Sequence, residues 1–387
     1  MAYYLVIFFI PYLIVNFAKI SKPLENFLFF IFIIFIIFFI GFRFEMGLDW
    51  SNYIKEFYDR NYILNKDYSL FFSNLFSGKI ISNRNIEPLY IFFLYLSNFF
   101  SGNIFFFNII NAIISISILY FFFVKLPNKW FALSIAISFM IFYGMDIIRQ
   151  FTSLGFIFLM IYNLSKKNNI YAIIFFILSA FFHMGSIIFS TLFFYIFLKK
   201  IKVNNFYFLF SIVVFLLFYF SLSSPNHYSY VEQAYVSNGV IFRMFVNMLP
   251  LFFFLYFNKY FKTCEYYEIL NWYCFFSAFI FLFFVLGYNS IVIDRFLIYI
   301  LPFQILVYSF LLKSLNSKKL VSYFKFCIST FYILFGLSWM FFSEDNLRVY
   351  TPYKNILFED FEKAPSMVCN PFNKCVLEKE SKNVKFE

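Results

Sequence analysis

Charge is scarce in this chain. Of its 387 residues, Asp, Glu, Lys and Arg make up 13%, against about 25% in soluble domains. Glycine numbers only 10, and no glycine-rich phosphate loop is present, so nothing points to a nucleotide. Histidine occurs twice, at His183 and His227, and HExxH, CxxC and paired-histidine spacings are missing, which removes the usual metal-site patterns. Of the 5 cysteines, Cys264, Cys274 and Cys327 lie in or beside apolar runs without ligand spacing. The first residues lack a charged n-region and a small-residue cleavage site, so "AYYLVIFFIPYLIVNFA" is expected to stay as a first helix, with Pro11 tolerated inside it.

What is abundant is apolar and aromatic. The chain is 63% hydrophobic and 28% aromatic, with mean hydropathy +0.77. Apolar stretches of roughly 17 to 25 residues recur along nearly the whole length, each long enough to cross a hydrocarbon core of about 30 Å as a helix. The expected fold is an all-α polytopic membrane protein of about 12 transmembrane helices. A net charge of +11 would suggest nucleic acid in a soluble protein; here it reflects lysine in short loops, and no nucleic-acid partner is expected.

Those loops orient the chain. "KISK" at 19–22, "KLPNK" at 125–129, "SKKNN" at 165–169, "KKIK" at 199–202, "NKYFK" at 258–262 and "KSLNSKK" at 313–319 mark the cytoplasmic side. Counting crossings between them sets a transmembrane domain over 1–342 and a polar outer tail over 343–387. Outer loops are expected at 43–86 and 223–240, helices near 130–145 and 150–164, and His183 at an outer turn. Parity leaves 87–100 as a short re-entrant or interfacial helix. All seven arginines (Arg43, Arg60, Arg84, Arg149, Arg243, Arg295 and Arg348) then fall at the outer face, where the positive-inside rule disfavours them. Arginine's planar fork suits phosphate oxygens, so an anionic, lipid-borne ligand at the outer face is implied.

Several constellations carry chemistry beside a plainer alternative. In "RFEMGLDWSNY", Asp49 and Tyr53 share a helix face, and Trp50 and Tyr53 offer platforms for sugar rings; an interfacial aromatic belt with an N-capping Asp has the same pattern. In "MDIIRQ", Asp146 and Arg149 are spaced to pair and Gln150 extends the polar face, for function or for a structural salt bridge. His183, followed by Gly185 and Ser186, is placed to act as a general base or to bind phosphate, or else is a satisfied structural histidine. Asp294, Arg295 and Tyr299 mark another outer helix start, and Arg243 begins a further helix. Cys369 and Cys375, in "CNPFNKC", are candidates for a local disulfide in an oxidising compartment.

The succession "FRFEMGLDWSNYIKEFY", "IEPLYIFF", "MDIIRQ", "AFFHMGSII", "DRFLIYI" and "YTPY" resembles the EpsG family, related in role to Wzy-type bacterial polysaccharide polymerases, over roughly 1–355. The resemblance implies polymerisation of oligosaccharide repeat units carried on undecaprenyl diphosphate, at the outer face of the bacterial cytoplasmic membrane and without a cofactor or metal ion. It implies a base among His183, Asp49 and Asp146, pyrophosphate binding by Arg149, Arg295, Arg43 and Arg243, and sugar contacts from Trp50, Tyr53, Glu87, Gln150 and Tyr299. A flippase and a chain-length regulator are the implied protein partners. A lipid-linked monosaccharide transferase of the C-type class, with Asp49 as base or metal ligand, and a lipid-linked oligosaccharide flippase are the competing functions.

Overall fold

The computed structural model describes residues 2–54, 57, 87–101, 104–200, 239–285, 290–315, 317–341 and 344–358, with the backbone of 367–369 and 375–377. Helices α1 (Ala2–Phe17) and α2 (Lys22–Gly41) open the chain. Pro23 sits in the first turn of α2, where a missing N–H costs no hydrogen bond, and Glu25 lies near the positive end of the same helix. The 20 residues of α2 span about 30 Å, the thickness of a hydrocarbon core. Then follow α3 (Pro88–Ser101), α4 (Ile104–Phe123), α5 (Lys129–Asp146), α6 (Ile148–Ser165) and α7 (Asn169–Phe182). A 3-10 turn, Met184–Phe189, leads into α8 (Ser190–Lys200). Beyond come α9 (Val240–Tyr256), α10 (Asn258–Phe261), α11 (Tyr267–Val285) and α12 (Ser290–Leu297). A short 3-10 turn then precedes α13 (Leu301–Ser314), α14 (Lys318–Phe341) and α15 (Glu344–Tyr350).

The centre of the bundle is α5, buried at every residue from Lys129 to Asp146. Around it pack α1, α2, α4, α6, α13 and α14. Small residues allow the closest approaches, as expected where lipid gives no hydrophobic drive between helices. A Cβ on Gly336 of α14 would lie 2.3 Å from Ser138 Oγ on α5, and Ser138 Oγ donates to Tyr332 O at 3.1 Å. Between α6 and α7, Ser153 and Ser179 hydroxyls meet at 2.8 Å. The outward faces carry large apolar side chains, among them Phe27, Phe30, Ile31 and Phe38 on α2. A water-facing surface of that kind is a liability, whereas acyl chains cover it at no cost.

Lys22–Gly41, Ile104–Phe123, Tyr267–Val285, Ile293–Ser314 and Lys318–Phe341 are long and apolar enough to cross a membrane. The protein is a helical, polytopic membrane protein. The expected total of about 12 crossings includes segments within 201–238, which lie outside the described residues. Helix α3, where a re-entrant or interfacial segment is expected, has 14 residues and packs against α4 and α7. The tail departs from all-α in one small element: β1 (Met367–Cys369) pairs antiparallel with β2 (Cys375–Leu377), setting Cys369 opposite Cys375. The side chains of these cysteines, and so the disulfide expectation, lie outside the described residues, as do Arg60, Arg84 and His227.

Candidate functional site

The helix break at Ile147, with φ −121° and ψ 57°, separates α5 from α6 and sends the polar residues around it in two directions. Asp146, the last residue of α5, accepts from the Leu48 N–H at 2.8 Å and from the Tyr350 hydroxyl. Beside it Arg43, 1% exposed, donates to Ile40 O at 2.7 Å, Met46 O at 3.3 Å, Met145 O at 3.2 Å and Asn108 Oδ1 at 3.4 Å. All three guanidinium nitrogens are thereby engaged. Burial lowers the Arg43 pKa to about 10, so the group stays charged at neutral pH, helped by the nearby Tyr53 and Asp146.

The loop after α2 is pinned against this pair. Gly47 has φ +106°, and a Cβ there would sit 2.5 Å from Met145 O, so glycine is required on both counts. The segment after α15 closes the arrangement: Phe44 N donates to Lys354 O at 3.1 Å and Ile356 N to Phe42 O at 2.9 Å. Tyr353 stacks on Phe39 with ring centroids 4.0 Å apart and donates its hydroxyl to Phe39 O at 2.7 Å. Lys354 pairs with Glu45 at 3.2 Å. The first part of the expected tail, 344–358, is thus packed onto the first loop.

On the other side of the break, Arg149 and Gln150 point to different partners. Glu87, 7% exposed and immediately before Pro88 of α3, places Oε2 3.3 Å from Arg149 Nη1 and Oε1 3.1 Å from His183 Nδ1. The Met184 N–H also reaches Glu87 Oε1, at 3.4 Å. Arg149 lies 4.9 Å over the Tyr90 ring, one turn further along α3. Gln150 donates to Arg295 O at 2.5 Å, joining α6 to α12, and its Oε1 is buried without a partner among the described residues. The side chains of Arg149 and His183 keep 28% and 18% exposure, and Arg295 is exposed.

Electrostatics fix the protonation states of this cluster. Burial opposes ionisation of Glu87, but the His183 hydrogen bond and the Arg149 charge outweigh it and hold the carboxyl at about 2. His183 is shifted down from the ordinary histidine value, first by burial and then by Arg149 and Arg295, against the upward pull of Glu87. A carboxylate, a neutral imidazole and a guanidinium therefore share one partly open end of the bundle at neutral pH. Such a set can accept a proton and bind an anion.

The family whose model matches this chain is the EpsG family, over residues 26–355. The chain belongs to the EpsG family. Its members are Wzy-type polysaccharide polymerases, so a glycosyltransferase-type activity follows, with a lipid-linked oligosaccharide as the implied substrate. No curated protein and no solved structure matches the chain. The matched span contains both polar clusters.

The remaining candidates in this EpsG-family chain sit as follows. Arg243, at the start of α9, pairs with Asp294 of α12 and lies 4.7 Å over Trp339 of α14. Asp49 is half-buried, with Asn52 Nδ2 on its Oδ1 at 3.2 Å, at the start of a helical turn. Trp50 and Tyr53 are 5% and 4% exposed and pack among Phe44, Phe105 and Tyr90. Tyr299 is fully buried, with its hydroxyl close to Gly185. The i, i+3 spacing suggested an Asp146–Arg149 pair on one helix; the break at Ile147 turns Asp146 to Leu48 and Tyr350 and Arg149 to Glu87 instead. Among the described residues no group of three or more His, Cys, Asp or Glu comes together as metal ligands would.

Proposed function

We propose that this chain joins undecaprenyl-diphosphate-linked oligosaccharide repeat units into a surface polysaccharide at the outer face of the cytoplasmic membrane. The observation that carries this is the placement of Arg149 and His183 on the two oxygens of Glu87, both partly open to the surroundings, beside the Ile147 break, a helix length away from the lysine loops at 125–129 and 165–169. In the transfer, an acceptor hydroxyl on one lipid-linked unit attacks the anomeric carbon of the growing chain. The bond from that carbon to the diphosphate oxygen breaks, its electron pair leaving on the diphosphate, and the hydroxyl proton passes to His183. Arg149 and Arg295 stabilise the charge that develops on the diphosphate, the largest single service such a site performs.

Arg43 and Asp146 hold the first loop rather than the substrate, because their polar atoms are already committed to the protein. Arg243 pairs with Asp294 over Trp339 with its side chain only 11% exposed, against 28% for Arg149, and is assigned to the bundle.

The test is deletion of the gene in its host and complementation with wild type, Arg149→Lys and His183→Ala. Lipid-linked glycans and surface polysaccharide are then compared. Single repeat units exposed outside, with long polymer lost, support the polymerase. Loss in Arg149→Lys, which keeps the charge, supports forked phosphate binding. Repeat units that lack one sugar or stay on the cytoplasmic side overturn the assignment in favour of a monosaccharide transferase or a flippase.

A further inference from the structure

We propose that Glu87 is a positioning residue for this transfer: its single carboxylate holds His183 in the Nδ1–H tautomer, leaves Nε2 open to the acceptor hydroxyl, and clamps Arg149 beside it. The inference rests on the roles given above to His183 and Arg149, and it replaces sugar contact as the part played by Glu87.

An ionised carboxylate only accepts hydrogen bonds, so the 3.1 Å contact from Glu87 Oε1 to His183 Nδ1 requires the proton on Nδ1. A histidine side chain alone in water favours the other tautomer, with the proton on Nε2, which cannot take a proton from a hydroxyl. The carboxylate therefore selects the form whose Nε2 can act as the base. Three features hold Glu87 itself. Pro88 restricts its backbone to extended conformations. The Met184 N–H anchors Oε1 from the residue next to His183. Arg149 takes Oε2 while its other face rests on Tyr90, so one turn of α3 grips the guanidinium from two sides.

The nitrogen left unprotonated faces room that the sequence provides. A Cβ on Gly185 would lie 3.0 Å from His183 Nε2 and 3.1 Å from Cδ2, so any side chain at 185 would press on the reacting atom. The charged groups acting on His183 are Glu87 from the start of α3, Arg149 from α6 and Arg295 from α12. Because one carboxylate serves both the imidazole and the guanidinium, the base and the anion site keep a fixed separation. That is what a transfer between two lipid-linked substrates needs, since misplacement by 1 Å can cost about 10²-fold.

The chain has two histidines, so His227→Gln leaves His183 as the sole imidazole signal. The full-length protein, labelled with 15N-histidine and held in phosphatidylglycerol–phosphatidylethanolamine nanodiscs, is measured by NMR at neutral pH without substrate. The expected spectrum has a protonated Nδ1 and an unprotonated Nε2. Glu87→Gln, whose amide can donate as well as accept, gives a tautomer mixture, and Glu87→Asp restores most of the Nδ1–H form. Turnover is measured on undecaprenyl-diphosphate-linked repeat units extracted from the deletion strain. It falls about 10²-fold or more in Glu87→Gln, since loss of a tautomer-fixing carboxylate costs about 10⁴-fold in a serine-protease triad, and recovers partly in Glu87→Asp. A protonated Nε2 in the wild type, or a Glu87→Gln spectrum unchanged from it, overturns the proposal. Polymer made at wild-type rate by His183→Ala overturns the base assignment instead, and the substrate-free spectrum tells the two failures apart.

Discussion

Two polar clusters flank Ile147, each built from an arginine, a carboxylate and nearby tyrosines, and they differ in how far their groups are exposed. In the first, Arg43 spends its donors on three backbone carbonyls and Asn108, and Asp146 takes the Leu48 N–H and the Tyr350 hydroxyl. In the second, Glu87 is enclosed, but the Arg149 and His183 side chains it holds are partly exposed. Charge with every valence met inside the protein fixes geometry. Charge held in place with part of its side chain still exposed is positioned to act. The same residue types thus serve as a clasp on one side of a helix break and as a candidate reaction centre on the other.

The widest separation between the clusters comes from deleting one side chain in each. Arg43→Ala strands four buried acceptors, and at about 1–3 kcal/mol for each buried group left without its partner the loss amounts to several kcal/mol. The expected result is low membrane abundance and loss of the folded protein in a thermal melt. His183→Ala leaves abundance and melting near wild type and lowers polymer turnover by about 10²–10⁴-fold. If both variants fold equally well and lose activity equally, the distinction between clasp and centre collapses.

A finer probe is Gly185→Ala. The added methyl would meet His183 Nε2 at 3.0 Å, so the imidazole must shift or the acceptor must stand further off. Turnover is expected to fall about 10–100-fold while the melt stays within a degree or two, because residue 185 is half-buried and not in the left-handed region. Activity at wild-type level would mean that the acceptor does not approach Nε2.

The dependence on pH sharpens the second cluster further. His183 is held below the ordinary value near 6.5, so turnover should persist below that pH and fall once the base is protonated. Glu87, at about 2, stays ionised throughout, so the acid limb belongs to His183. Glu87 is the group that raises His183, so Glu87→Gln moves the acid limb of the residual activity to lower pH. An acid limb that moves up, or not at all, would detach His183 from Glu87 in the working enzyme.

Much of the frame is legible in the sequence. Lysine loops and apolar lengths place helices near 130–145 and 150–164, where α5 and α6 run over Lys129–Asp146 and Ile148–Ser165. Arg43, Asp146, Arg149 and His183 also lie in motifs that stand out by composition, whereas Glu87 enters only through the resemblance to the EpsG family. What spacing does not reveal is partnership. Arg149 meets Glu87 across 62 positions, His183 meets Glu87 across 96, and Asp146 meets Tyr350 across 204. Local periodicity covers three or four residues, and the break at Ile147 spoils it where it mattered most. The second role of Gly185 is equally hidden, since its reason is a nitrogen two residues away in a 3-10 turn.

The smallest expected effect tests the clasp alone. Tyr350→Phe keeps the ring, which lies 5.0 Å from that of Phe142, and removes only the hydroxyl that Asp146 accepts. Asp146 retains the Leu48 N–H, so the carboxyl group loses one of its two donors among the described residues and the cost is about 1–3 kcal/mol. The melt should drop by a few degrees, with polymer length and turnover unchanged at permissive temperature. Loss of turnover with an unchanged melt would place Asp146 and Tyr350 in the chemistry, because only a group exchanging protons with substrate could feel the missing hydroxyl while the fold does not.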